Sequence, residues 1–224
     1  MKHIFLISGK LRSGKNQFAD YVKEIAESKG MTVNTDLFAK SLKEWCNEDF
    51  KALTDYLNDI LNTTINQLKN YSNLSFNQKI QMYFESSIRK LEELITKDEN
   101  WYENKNPITR ILLQTYGTEI FRKRVDQNWW VKQLKNRVLQ SNSDIILITD
   151  VRFPNEIECF KKDIPKDFTV TTIRINRNLN REASFNEHES ENALDNYNEF
   201  DYVIDNNGTL EDLKNKVKEL ISRI

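Results

Sequence analysis

The residues with the clearest chemical potential lie near the start of the chain, in Gly9-Lys10-Leu11-Arg12-Ser13-Gly14-Lys15-Asn16. An apolar run, Ile4-Phe5-Leu6-Ile7, precedes them, and apolar residues at helical spacing come after them at Phe18, Tyr21, Val22 and Ile25. Strand, glycine loop and helix in that order is the setting of a phosphate cradle. Gly9 and Gly14 permit a tight turn, and the loop N–H groups with the helix N-terminus face an anion. Lys15 then reaches the outer phosphates. A glycine-lysine loop by itself recurs by chance; its placement between strand and helix favours nucleotide binding over a plain turn.

Phosphoryl transfer asks a protein for alignment and positive charge around the moving group. Asp150 closes a strongly apolar segment and offers oxygen to magnesium, directly or through water. Arg152, Arg122 and Arg110 are cations for a second phosphate, and Arg174, Arg177 and Arg181 share one polar neighbourhood as a closing lid. Each arginine taken singly is more often a solvated surface residue. Three along one stretch after a strand are harder to dismiss.

The elements that must position these groups alternate. Strands are expected at residues 3–8, Met31–Thr35, Asp144–Asp150, Thr169–Ile175 and Asp201–Ile204, with helices between them. A helix over 15–28 stops at Gly30, and Thr209 with Asp212 marks the start of the final helix. Between Trp45 and about Lys97 the period is helical throughout. One stripe runs Phe50, Leu53, Leu57, Ile60, Leu61 and another runs Ile80, Tyr83, Phe84, Ile88, Leu91, Leu94, Ile95. The polar stretch Asn70–Asn77 joins them, and Trp101–Pro107 is a loop. Gly117 lies inside a later helical pattern and either breaks it or admits a close neighbour. The pattern as a whole predicts an α/β fold with a parallel sheet, as one domain. Its core is 1–44 and 108–224, a helical insertion takes about 45–107, and a lid lies at about 176–190.

Composition narrows the field. Lys+Arg 33 against Asp+Glu 34 in 224 residues argues against a general binder of nucleic acid or membrane surface. No apolar run approaches the roughly 20 residues of a membrane span, and no signal peptide precedes the first strand. Cys46 and Cys159, far apart and without metal spacing, read as small hydrophobes in a reducing, cytoplasmic setting. His3 and His188 are the only histidines, too few for a histidine-rich metal site.

Several further motifs occur in order: Phe38-Ala39-x-x-Leu42-Lys43, Gln114-x-x-Gly117-Thr118-Glu119-x-x-Arg122 and Asp150-Val151-Arg152-Phe153-x-Asn155-Glu156. His188-x-Ser190-Glu191 and Asn207-Gly208-Thr209-Leu210 complete the series. With the glycine loop they resemble the phage-type deoxynucleoside monophosphate kinases of the P-loop nucleoside monophosphate kinase group. The likeness runs over nearly the whole chain except the insertion. It implies transfer of the γ-phosphoryl group of ATP to a nucleoside monophosphate with magnesium, on a five-stranded parallel sheet flanked by helices. By resemblance Gly9, Arg12, Ser13, Gly14, Lys15, Asn16 and Gln17 belong to the ATP side, with the Asn206–Gly208 turn (Asn206, Asn207, Gly208) near its adenine. Lys43, Gln114, Thr118, Arg122, Arg152 and Glu156 fall on the acceptor side, and Lys15, Arg174, Arg177 and Arg181 are the catalytic cations.

Two departures stand out. Asn16 and Gln17 replace the acidic-plus-Thr pair usual after Gly-Lys in that family, and Lys40 replaces an acidic residue after Phe-Ala. Asn16 has an amide oxygen but no charge, so magnesium is expected to rest on ATP, waters and Asp150. Other readings stay open from sequence: a P-loop kinase of dephospho-coenzyme A or phosphomevalonate type, or a nucleotide-binding module without turnover. The accepted bases, the sugar preference and the state as monomer or homodimer stay open as well.

Overall fold

The computed structural model describes residues 1–68, 107–178 and 188–224. The second apolar stripe, the Asn70–Asn77 connection, nearly all of the Trp101–Pro107 loop and Arg181 lie outside the described residues. The chain forms two compact units, Met1–Ser41 with Val125–Ile224, and Leu42–Arg124. The second unit takes in the expected insertion and also the Gln114–Arg122 motif.

Five parallel strands form the first unit's sheet: β1 (Lys2–Ser8), β2 (Val33–Asp36), β3 (Ile145–Val151), β4 (Phe168–Asn176) and β5 (Tyr202–Asp205), ordered β2-β3-β1-β4-β5. Buried on both faces, β1 needs no polar alternation, which is why Ile4, Phe5, Leu6 and Ile7 are all apolar and fully buried. Phe5 and Ile7 pack with Phe18, Ala19, Val22 and Ala26 of α1 (Lys15–Ser28) and with the last helix, Leu210–Ile221. Ile4 and Leu6 face the other way, into a layer holding Val131, Leu134 and Val138 of Trp129–Gln140 and Ile157 and Phe160 of Pro154–Asp163. This doubly wound arrangement opens its ligand crevice at the carboxyl ends of the strands.

Among the described residues the remaining helices, in chain order, are α2 (Phe38–Leu68), α3 (Pro107–Gln114), α4 (Trp129–Gln140), α5 (Pro154–Asp163), α6 (Glu189–Asn192) and α7 (Leu210–Ile221). α1 ends at Gly30 by two backbone bonds, Gly30 N–H to Glu27 C=O and Met31 N–H to Ala26 C=O. Those bonds use Met31, so β2 starts at Val33 instead of Met31 and ends on Asp36 instead of short of it. Residues 37–43 and the stretch from Trp45 join into one 31-residue helix, α2. Of its expected apolar stripe, Phe50 is half-buried and Leu53 is exposed. α3 gives way to a π-helical segment, Thr115–Val125. Gly117 sits in it against Leu42; a Cβ there would lie 2.9 Å from a Leu42 methyl, so close approach is the reason for the glycine. Trp130 and Cys46 are buried, in keeping with core roles, and burial pushes the Cys46 thiol up to about 12. No helix among the described residues is long and apolar enough to cross a membrane.

An ion pair fixes the entry to α2. Asp36, 8% exposed, receives Arg137 Nε at 2.9 Å and Nη2 at 3.0 Å, and Arg137 also donates to Leu37 C=O and the Ser41 hydroxyl. Phe38 then packs edge-on to Phe160, ring centres 5.9 Å apart. Arg137→Leu strands the Asp36 carboxylate in a buried position. The expected loss is about 2–4 kcal/mol, the lower end reflecting the partial exposure of Arg137. The double variant Asp36→Leu/Arg137→Leu should lose less than Arg137→Leu alone, measured as urea midpoints.

Candidate active site

β1 fixes the site by its register. Its last residue, Ser8, is paired with Val151 of β3 on one side and Arg174 of β4 on the other. The glycine loop therefore leaves the sheet between the Asp150–Arg152 segment and Arg174. The β1–β3 ladder shifts between Leu6 and Ser8: Leu6 pairs with Ile148 and Ser8 with Val151, so β3 carries one extra residue beside Ile7. Asp150 falls in that bulge.

The loop is a turn closed by Ser13 N–H to Lys10 C=O, with Arg12 in the left-handed region at φ 63°. Gly14 follows at φ 99°, where an L side chain is strained, and a Cβ there would collide with the Asn206 amide. Asn206, 8% exposed, donates from Nδ2 to Ser13 C=O at 2.8 Å, and its own N–H bonds Asn176 C=O at the end of β4. Lys15 Nζ lies 2.7 Å from Gly9 C=O and 2.9 Å from Lys10 C=O, folded over the loop it follows. The Ser13 hydroxyl is buried without a hydrogen-bond partner among the described residues. Asn16 is exposed on the first turn of α1 and Gln17 is half-buried. Asn207 accepts from Asn178 N–H at 2.7 Å and donates to Asp205, which ties the Asn206–Gly208 turn to the chain leaving β4.

The carboxylates expected at the site serve backbone amides. Asp150 Oδ1 accepts from Phe38 N–H at 2.9 Å and Oδ2 from Ala39 N–H at 2.8 Å, so it caps the start of α2. Burial pushes its carboxyl above the usual range, against the pull of those amides and of Arg152. Glu156, 3% exposed, accepts from the N–H groups of Arg152 and Phe153 at 2.7 and 3.0 Å and holds the start of α5. Its place is thus beneath Arg152. Arg152 pairs with Glu191 at 2.8 Å. Arg174 is a residue of β4, within the expected strand Thr169–Ile175, half-buried and donating to the Ser8 hydroxyl and to Asp195. Arg177, by contrast, follows β4 and is exposed. His188 Nδ1 accepts from Ser190 N–H and caps α6.

One compact unit therefore assembles Gly9–Gln17, Asp150, Arg152, Glu156, Arg174, Arg177 and the Asn206–Gly208 turn. Lys43, Gln114, Thr118 and Arg122 belong to the second unit, with Thr118 buried in the π-helical segment and Lys43, Gln114 and Arg122 half-buried. Tyr116, beside them, donates to Asp49, and burial pushes its phenol well up. Sequence reasoning passed over Asp195, and also Lys10 and Arg137, whose side-chain partners are 96 to 185 residues away. Their spacing carries no local signal.

The Asn206–Gly14 contact is open to a thermodynamic cycle. Asn206→Ala should cost about 1–3 kcal/mol by stranding the buried Ser13 carbonyl. Gly14→Ala should cost more in the native background than in Asn206→Ala, because only the left-handed strain persists there. Chemical denaturation of the four proteins checks this.

The family model described as deoxynucleotide monophosphate kinase matches residues 47–217, about three quarters of the chain. The deoxynucleoside-5'-monophosphate kinase of Escherichia phage T5 is 33% identical over 66 residues, 30% of this chain. The matched part spans 26% of that relative's own length.

Proposed function

This chain belongs to the deoxynucleotide monophosphate kinase family, and on that premise we propose that it transfers the γ-phosphoryl group of ATP to a deoxynucleoside monophosphate. The observation that carries the proposal is the register at Ser8, which brings the glycine loop out between Asp150–Arg152 and Arg174. The loop's N–H groups and the first turn of α1 receive the phosphates of ATP, and Lys15 swings from Gly9 and Lys10 carbonyls onto the outer phosphates. A phosphate oxygen offers that ammonium an ionised acceptor where the carbonyls are neutral.

Arg152 takes the acceptor phosphate, with Glu156 holding its backbone and Glu191 its guanidinium. In the second unit, Lys43, Gln114, Thr118 and Arg122 are acceptor residues by the family motif. Arg177 and Arg181 neutralise charge as the γ-phosphoryl group moves, while Arg174 braces β1 to β4 through Ser8. The Asn206–Gly208 turn borders the adenine.

Magnesium needs few protein ligands when phosphates and water supply the rest. Asp150 fits that demand: each of its oxygens accepts one amide hydrogen and keeps a further lone pair. The ion would neutralise phosphate charge, and Asn16, exposed and uncharged, would lie outside its inner ligands.

A coupled ADP-release assay over deoxy- and ribonucleoside monophosphates tests the activity. Turnover with dephospho-coenzyme A or phosphomevalonate instead would reassign the acceptor, and ATP binding without any turnover would make the chain a binding module. Lys15→Ala should lower kcat by about 100-fold or more with an unchanged melting temperature. Asp150→Ala should lose about 1 kcal/mol of stability in the absence of metal, through the lost cap of α2, and should also raise the magnesium requirement. Asn16→Ala should do neither. A magnesium titration and a melt in chelator, run on both variants, separate the two effects.

A further inference from the structure

Lys10 stands in the glycine loop, and its ammonium has three hydrogens to donate. The Glu191 carbonyl at 2.7 Å, Asn192 Oδ1 at 2.8 Å and Asp195 Oδ2 at 2.6 Å receive all three. Those acceptors come from one short segment, the end of α6 and the turn after it. The other oxygen of Asp195 meets Arg174 Nη2 at 3.1 Å, and Arg174 Nη1 meets the Ser8 hydroxyl at 3.0 Å. A closed circuit results: Ser8 to Arg174 to Asp195 to Lys10, with Ser8 and Lys10 separated along the chain only by Gly9.

We propose that Lys10 is a positioning residue of the nucleotide loop, clamped by Asp195, and that it does not itself contact phosphate. The contrast with Lys15 supports the distinction. Lys15 bonds the Gly9 and Lys10 carbonyls of its own loop, whereas the partners of the Lys10 ammonium all lie on the 191–195 stretch. Releasing Lys10 would take one donor from three acceptors of α6 and its turn at once and unbalance Asp195 against Arg174. The clamp also gives the 188–195 segment a purpose its sequence does not announce. Its backbone and Asp195 hold the loop, and Glu191 holds Arg152. One turn thus braces the loop and the Asp150–Arg152 strand end together.

The proposal rests on the reading of Gly9–Asn16 as the phosphate-binding loop, so its primary readout is chosen to be independent of catalysis. Amide hydrogen exchange of residues 9–14 should quicken about three- to tenfold in Lys10→Met and in Asp195→Asn, a range set by the partial exposure of both side chains. The double variant should exchange more slowly than the product of the two single effects predicts, because the Lys10–Asp195 bond is weakened in each. ATP KM should rise by a similar factor in each, with kcat and acceptor KM near the native values, and Lys10→Arg should recover part of the loss. Unchanged exchange in both single variants overturns the clamp. So does a kcat loss in Lys10→Met as deep as in Lys15→Ala with Asp195→Asn silent, since Lys10 would then touch phosphate. Absence of turnover in the native protein would overturn the kinase reading alone, and the exchange data would still decide the clamp.

Discussion

Everything at the candidate site depends on one constraint, the simultaneous pairing of Ser8 with Val151 and Arg174. β1 can satisfy both neighbours only as the central strand of a parallel sheet, and a central parallel strand must be apolar on both faces. Ile4 to Ile7 meet that demand. The cost falls on the residues after Ser8, where a polar loop must turn sharply among three crowded strand ends. Gly14, the Asn206 amide and the bonds of Lys10 are the local answers to that crowding.

Carboxylates recur here in an unexpected office. Asp150 and Glu156 accept two amide hydrogens each at helix starts, and Asp212 does comparable work for Thr209 at α7. Asp201 accepts the Thr172 amide and hydroxyl. These contacts satisfy amides that helix and strand ends leave over, groups whose burial without a partner costs more than a typical hydrogen bond returns. At Asp150 such a structural duty and a ligand duty can share one carboxylate, because its oxygens have more lone pairs than amides to receive.

Much of the fold was legible because its signals are local. Five apolar or half-apolar segments, the Gly30 stop and the Thr209–Asp212 box each announce an element within a few residues, and each element stands within two residues of its expected place. The loop was legible for the same reason. Arg174 falls inside the expected strand Thr169–Ile175, and pairing with both Ser8 and Val203 holds it in the sheet, apart from Arg177 beyond the strand end. Glu156 was placed on the acceptor side by resemblance alone, and its bonds to the Arg152 and Phe153 amides could not be read from sequence, because a carboxylate that accepts amides looks there like any other acid. Lys10 and Arg137 were illegible, since their partners are distant in sequence and ion pairs leave no periodicity.

The extra residue in β3 has a consequence for the alternation of that strand. Ile146 and Ile148 face the α4–α5 layer, and so does Val151, three positions on instead of two. The bulge has changed the phase of the strand, so that odd and even positions exchange faces beyond Ile148. Without it, Asp150 would inherit the apolar face and Val151 the opposite one. Length at this point is therefore a coding property. Removing Thr149 would restore a regular ladder with Val151 still on its own face. By doing so it would turn Asp150 toward the opposite apolar layer, away from the amides of Phe38 and Ala39. A strand end here could tolerate many changes of side chain more easily than one change of count.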